Sequence, residues 1–295
     1  MFRRFIVRRE NVSRRASLAI SFLAIAFLLG WGAGSAHATP STTYWTPDVM
    51  DIQPYNVWHL GIDNYFTIGH GPTNKEGAFP TDVGLTVGVL PFQKVNMEVG
   101  IDMLQPIDSG VCAGAIDSAS GRIPITTCPT VGDSLLFNAK AGIPEGSFGS
   151  LFPGIDIGIF NVGFKPQVTN MDIVDLIVGK TLGSLGRVHL AAYWGNAGSA
   201  LLHEGGDLAG RATNYGWMAA FDHGFMTVKD AAGNEYSKWV LAADYAYGKN
   251  FIGGGGGGIY YFFTKDISVL MGPVWYNDRV INGAWKWTTQ LDINF

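Results

Sequence analysis

Read backward from residue 295, the chain alternates strictly. Phe295, Ile293, Leu291, Thr289, Trp287 and Trp285 fall on one face of an extended segment, and Asn294, Asp292, Gln290, Thr288 and Lys286 on the other. A period of two marks a strand with one apolar and one polar face, and the same pattern recurs along the chain. Over residues 55–69, Trp58, Leu60, Ile62, Phe66 and Ile68 oppose His59, Gly61, Asp63, Tyr65 and Thr67. Val83, Leu85, Val87 and Val89 run into a tight turn at residues 91–94. Val95, Met97, Val99, Ile101 and Met103 return from it against Asn96, Glu98, Gly100 and Asp102, so this hairpin carries two acids on its polar face.

Leu135, Phe137, Ala139, Ala141 and Ile143 oppose Asn138, Lys140 and Gly142. Ile155, Ile157 and Ile159 oppose Asp156 and Gly158, but Phe160, Val162 and Phe164 continue on the other parity, which predicts a β-bulge near Ile159. Val174, Leu176 and Val178 flank an inward Asp175, and Val188, Leu190, Ala192 and Trp194 oppose Arg187, His189 and Tyr193. Tyr215, Trp217, Ala219 and Phe221 form another strand, followed by a longer turn over residues 222–237. Trp239, Leu241, Ala243, Tyr245 and Tyr247 come next, with Asp244 on the other face. A glycine run at 253–258, read either as strand or as loop, leads into Ile259, Tyr261 and Phe263. Ile267, Val269, Met271 and Trp275 then precede the final strand.

The expected count is twelve strands. Short turns at 91–94, 183–186 and 264–266 fall at one end of the array, and long loops at 105–133 and 196–213 fall at the other. Only the connections at 144–153 and 222–237 are long for the short-turn end. Trp58, Trp194, Trp217, Trp239, Tyr247, Trp275 and Trp285 share the apolar parity near strand ends, where interfacial aromatic girdles sit.

The other end of the chain separates a membrane barrel from a soluble sandwich, whose edge strand would alternate in the same way. Arg3, Arg4, Arg8, Arg9, Arg14 and Arg15 precede an apolar run over residues 16–29, and Ala36-His37-Ala38 follows. This order predicts a signal peptide over residues 1–38, cleaved before Thr39. Residues 39–54 are expected as an irregular periplasmic lead-in, and 55–295 as one domain. Cleavage removes six of twenty basic residues and one of twenty-four acids, leaving 14 against 23 and a charge of −9. No basic patch for nucleic acid survives. Charged residues are only 15% of the chain, against about a quarter in soluble proteins.

The signal peptide and the terminal Phe295 strand together resemble those of Gram-negative outer-membrane β-barrels of porin-like type, with no subfamily marked. The resemblance implies an all-β, transmembrane, antiparallel up-and-down barrel of about twelve strands in the cell outer membrane. Its partners would be outer-membrane lipids and the barrel assembly machinery, which would read Phe295 as an assembly signal.

Asp63, Glu98, Asp102, Asp156, Asp175, Asp244 and Asp292 are expected on the inner face with Lys140, Arg187, Lys238 and Lys286, beside His59 and His189. Such a set forms either a charged pore wall or the filling of a closed lumen. Twelve strands enclose more space than eight, yet large inner side chains or a folded-in segment can still plug it. Cys112 and Cys128, in the longest outer loop of a chain that crosses an oxidising compartment, are expected to form a disulfide worth about 3 kcal/mol. Residues 253–258 lack the Lys-Ser/Thr of a phosphate-binding loop. None of the six histidines is followed by Ser two residues on, the pattern of outer-membrane phospholipases and lipid A deacylases. The expected function is passive diffusion of small-molecule solutes, with no catalytic role, cofactor or metal. The alternatives are a closed barrel with a structural or surface-binding role through its outer loops and, third, an outer-membrane hydrolase.

Overall fold

A chain of two-faced strands satisfies its backbone and hides both edges by closing on itself. In the computed structural model, which describes residues 51–66, 81–105 and 135–295, twelve antiparallel strands do so. They are β1 (Trp58–Phe66), β2 (Thr81–Gly88), β3 (Asn96–Gln105), β4 (Leu135–Ile143), β5 (Gly154–Val162), β6 (Asn170–Thr181), β7 (Arg187–Trp194), β8 (Tyr215–Lys229), β9 (Glu235–Ala246), β10 (Gly254–Thr264), β11 (Ile267–Tyr276) and β12 (Trp285–Asn294). Each strand pairs with its sequence neighbours, and β12 pairs with β1 to close the barrel. At this seam Trp58 and Phe295 exchange backbone hydrogen bonds, each 2.9 Å long.

The outer surface is an apolar band. Leu190 is 63% exposed and Ile157 56%, in company with Leu176, Leu241 and Met271, a surface that a bilayer covers and water does not favour. Aromatic residues flank the band. Trp194, Tyr215, Trp217, Tyr247 and Trp275 lie toward the long-loop end, where the Trp217 ring sits 5.3 Å from Tyr245 and 6.1 Å from Tyr247. Toward the short-turn end, Tyr261 packs 4.6 Å from Trp239 and 5.0 Å from Phe263.

Two local expectations change, and one left open is resolved. The bulge lies at Asn161 (φ 53°), with the β5–β6 register shifting between Phe160 and Val162, so Phe160 stays on the inner face and is buried. An Asn side chain tolerates the left-handed backbone this requires better than the isoleucine at 159 would. The turn expected over 222–237 is mostly strand: β8 runs on to Lys229 and β9 starts at Glu235, leaving only residues 230–234. Within β8 the register steps at a bulge at Met226 (φ 58°), and Asp222, His223 and Gly224 ahead of the bulge are all buried. In the shortened turn Asp230 accepts from the amides of Ala232 and Asn234 and from the Asn234 side chain, all at 2.8 Å. The glycine run belongs to β10, where residues 254–258 pair with β9 and residues 254–256 also with β11. The expected signal peptide, residues 39–50 of the lead-in, and Cys112 and Cys128 lie outside the described residues.

One short-turn connection is locked. Glu145 accepts from Lys180 Nζ at 2.6 Å and from the Thr181 hydroxyl at 2.7 Å and amide at 3.0 Å. Partial burial alone would raise the Glu145 pKa, but these donors outweigh it and hold the group below its ordinary 4.5. Because the folded value is depressed, the stabilisation is present above the unfolded value and is lost as pH falls through the folded one. Denaturant unfolding of Glu145→Gln in detergent should therefore show a shallower loss of stability on acidification than the wild type. Parallel acid limbs would contradict the lock.

Candidate functional site: an acid-rich lumen with a strap and a cap

The inner wall is built from a repeated cross-strand pair. An inward carboxylate stands opposite an inward glycine on the adjacent strand: Asp102 opposite Gly84, Asp156 opposite Gly142, Asp175 opposite Gly158, Asp292 opposite Gly61 and Asp244 opposite Gly256. In three of these the acid occupies the space that a glycine Cβ would fill, the carboxylates of Asp102, Asp156 and Asp175 lying over Gly84, Gly142 and Gly158. The alternation that makes the outside apolar thus places acids inside, and glycine leaves them room.

The other inward residues meet partners. Lys140 Nζ lies 3.6 Å from Glu98, and His59 Nε2 lies 3.5 Å from Asp292 while its Nδ1 meets Asn294 Oδ1 at 2.9 Å. Asp102 accepts from Asn138 at 2.5 Å. Asp63 stands opposite Asp82 across β1 and β2. Asp244 and Lys286 are buried on the inner face. Arg187 donates through Nε to both Asp222 oxygens at 3.1 Å, and His189 Nε2 lies 3.2 Å from Asp222 Oδ2. Asp222 was not foreseen. The inward parity of Met218 and Ala220 reaches it, but it falls in the stretch read as turn. Lys238, expected inside, instead lies at the rim where β9 begins, with Nζ 4.7 Å over the outward-facing Tyr261 ring and 3.3 Å from the Phe263 carbonyl. The bulge at Met226, which shifts the pairing of β8 with this part of β9, accompanies the displacement.

Among the described residues, two elements fill part of the bore. The first is a strap of residues 51–57, of which 51–54 are expected as periplasmic lead-in and 55–57 as the start of the first strand; it lies inside the short-turn mouth. The Gln53 amide donates to Glu98 at 2.7 Å, and Gln53 is 1% exposed. Asp51 receives both terminal nitrogens of Arg187, each at 2.8 Å. Arg187 is on β7 and the strap leads into β1, six strands away in a ring of twelve, so the strap reaches across the mouth to this ion pair. Close approach to the wall needs Gly88, because a Cβ there would meet the carbonyl oxygens of Gln53 and Pro54.

The second is an apolar cap at the long-loop end, over the β6–β12 side. Leu201, Leu202, Ile252 and Ile281, from three connections, pack with Met171, Ile173, Tyr193 and Met218 of the inner wall. Hydrogen bonds to backbone carbonyls tie the cap together: the Phe251 amide donates to the Leu201 carbonyl and the Asn282 side chain, through Nδ2, to the Phe251 carbonyl, each at 2.8 Å. Asp278 accepts from the Gly205 amide at 2.6 Å. These loops show no period of two, so sequence pattern alone leaves them as connections.

Between strap and cap lies a cavity of about 170 Å³, bounded by carboxylates on several sides and by Tyr65, Leu104, Phe160 and Phe251. Among the described residues no three His, Cys, Asp or Glu side chains converge as a metal site.

A closed ring of twelve antiparallel strands with an apolar, aromatic-flanked exterior and a polar interior decides the fold. It is the architecture of the outer-membrane β-barrels. No family model matches the chain, and no curated protein matches it. Among solved structures it is similar to a mutant of Rh. blastica porin, with 10% identity over 81% of this chain and 98% of that one and a TM-score of 0.35. It is also similar to the Salmonella typhi outer membrane phospholipase, solved as a dimer with bound calcium, with 9% identity over 88% and 98% and a TM-score of 0.42. The Escherichia coli outer membrane phospholipase A gives 9% identity over 82% and 97% and a TM-score of 0.38. These likenesses concern the barrel alone.

Proposed function

We propose that the protein is a porin-like channel of the cell outer membrane for small solutes, held shut by the strap at the periplasmic mouth. The observation that carries this reading is the Arg187–Asp51 pair, which joins opposite sides of the bore across a wall otherwise rich in acids. Lipids cover the apolar band, the Trp58–Phe295 seam is where the assembly machinery would complete closure, and no catalytic or cofactor role is assigned.

The test uses Gly88. Its replacement by Val pushes on the Gln53 and Pro54 carbonyls while leaving the acid–glycine pairs of the wall alone. Proteoliposome swelling in a small sugar should be slow for the wild type and several-fold faster for Gly88→Val. An equal rate from an intact, heat-modifiable barrel would favour the second reading, a closed barrel acting through its outer loops. The packed cap of Leu201, Leu202, Ile252 and Ile281 supports that alternative.

In the open state the excess of acids should favour cations, since a bore comparable with a Debye length of about 8 Å screens its wall only in part. Reversal potentials in a salt gradient, measured on Gly88→Val, should shift toward anions when Glu98→Gln and Asp102→Asn are added. An unchanged potential would remove those two carboxylates from the path.

A further inference from the structure

Asp175 is 1% exposed, borders the lumen cavity, and meets no hydrogen-bond donor at either oxygen among the described residues. A buried carboxylate left in this condition is costly, and the cost falls when a cation or donor reaches it. Asp175 is on β6. Across the same cavity stand Asp63 and Asp82 of the first hairpin, facing each other in register, with one Asp82 oxygen also lacking a donor. Among the described residues, the basic side chains that line the cavity already face other carboxylates, Lys140 toward Glu98 at 3.6 Å and His59 toward Asp292 at 3.5 Å.

The lining therefore sets Asp175 on β6 and Asp63 with Asp82 on the first hairpin among the apolar side chains of Tyr65, Leu104, Phe160 and Phe251, while Glu98, Asp102 and Asp292 meet Lys140, Asn138 and His59. We propose that this cavity binds a small organic dication, a short-chain diammonium ion, with one ammonium at Asp175 and the other at Asp63 and Asp82.

Size and chemistry both select this class. At about 170 Å³ the cavity is close to the roughly 150 Å³ of an engineered cavity that accepts benzene, so a ligand of about six non-hydrogen atoms fits. A bare metal ion would need several ligands converging on one point, which the described residues do not provide. A diammonium ion instead supplies donors at two separated points and lays its methylene chain along the apolar wall. The inference deepens the channel reading, because it names the solute class of the same lumen and rests on solutes reaching it.

The test is isothermal titration calorimetry of the full chain in detergent, in both the wild type and Gly88→Val, with 1,4-diaminobutane as probe. Butylamine and 1,4-butanediol serve as its one-charge and uncharged counterparts. The diamine should bind at least one of the two proteins, butylamine should bind about tenfold more weakly, and the diol should give no saturable signal. Asp175→Asn should weaken diamine binding by about tenfold, as expected for loss of one desolvated charge partner. Asp63→Asn, at the opposite pole, should do the same should the first variant fail to assemble. No diamine binding to either protein, equal affinity for butylamine or the diol, or indifference to both substitutions would overturn the proposal. Diamine binding without conductance in either protein would leave the site standing and remove the channel. Conductance without diamine binding would do the reverse.

Discussion

Arg187→Gln should lower the unfolding free energy of the barrel in detergent by about 3–5 kcal/mol, the usual cost of removing one partner from a buried ion pair. The guanidinium serves two carboxylates, Asp222 through Nε and Asp51 through its terminal nitrogens, and its side chain is only 11% exposed. Glutamine supplies neither the charge nor the two-sided fork. Asp222, with a side chain 2% exposed, would be left with His189 as its remaining partner among those described here. Asp51→Asn removes only the outer contact, from a side chain 24% exposed, and should cost much less. Equilibrium urea unfolding of the three proteins gives the comparison. Equal losses for Arg187→Gln and Asp51→Asn would mean that the Asp222 contact contributes little.

The second large effect is expected at Gly254. In β10 this residue pairs with Ala246 on one side and Tyr276 on the other, so its neighbours on both sides are fixed by strand hydrogen bonds. A Cβ at 254 would run into the Trp275 carbonyl oxygen and approach the Tyr276 Cα to 3.2 Å, and these are backbone atoms that no rotamer change can move. Gly254→Val should abolish most of the heat-modifiable, assembled form on a semi-native gel. Gly257→Ala in the same strand should assemble at near wild-type yield, because its Cβ would meet only the Ala243 Cβ, at 3.8 Å, and the Ala242 carbonyl, at 3.9 Å. Equal yields would show that β10 has slack the structure does not display.

The barrel was legible because its physics is local. Alternation assigns each strand a face, and residues 91–94, 183–186 and 264–266 are short enough to fix an antiparallel return. Inward placement of Glu98, Lys140, Asp175 and Asp292 followed from parity alone. The pattern failed where one residue breaks the period. Asn161 adopts positive φ and Phe160 stays inside, and β8 runs on past Phe221 to a bulge at Met226, so Asp222 falls in strand instead of turn. It also could not reveal contacts between segments without periodicity. Asp51 and Arg187 are 136 residues apart, and nothing in the spacing of either announces the other. Leu201, Leu202, Ile252 and Ile281 sit in connections too short or irregular to carry a face, so the cap emerges only once the barrel brings those connections together.

The most direct test of a strap-closed channel is single-channel recording in planar bilayers. It would compare the full-length protein with a variant of it in which residues 51–57 are replaced by a flexible glycine–serine segment. Trp58 and its pairing with Phe295 are retained in that form, so the seam is preserved. The account predicts long silent periods with rare openings for the full-length protein and sustained, cation-preferring conductance once the strap is replaced. Identical silence from both proteins, with both barrels intact, would contradict it.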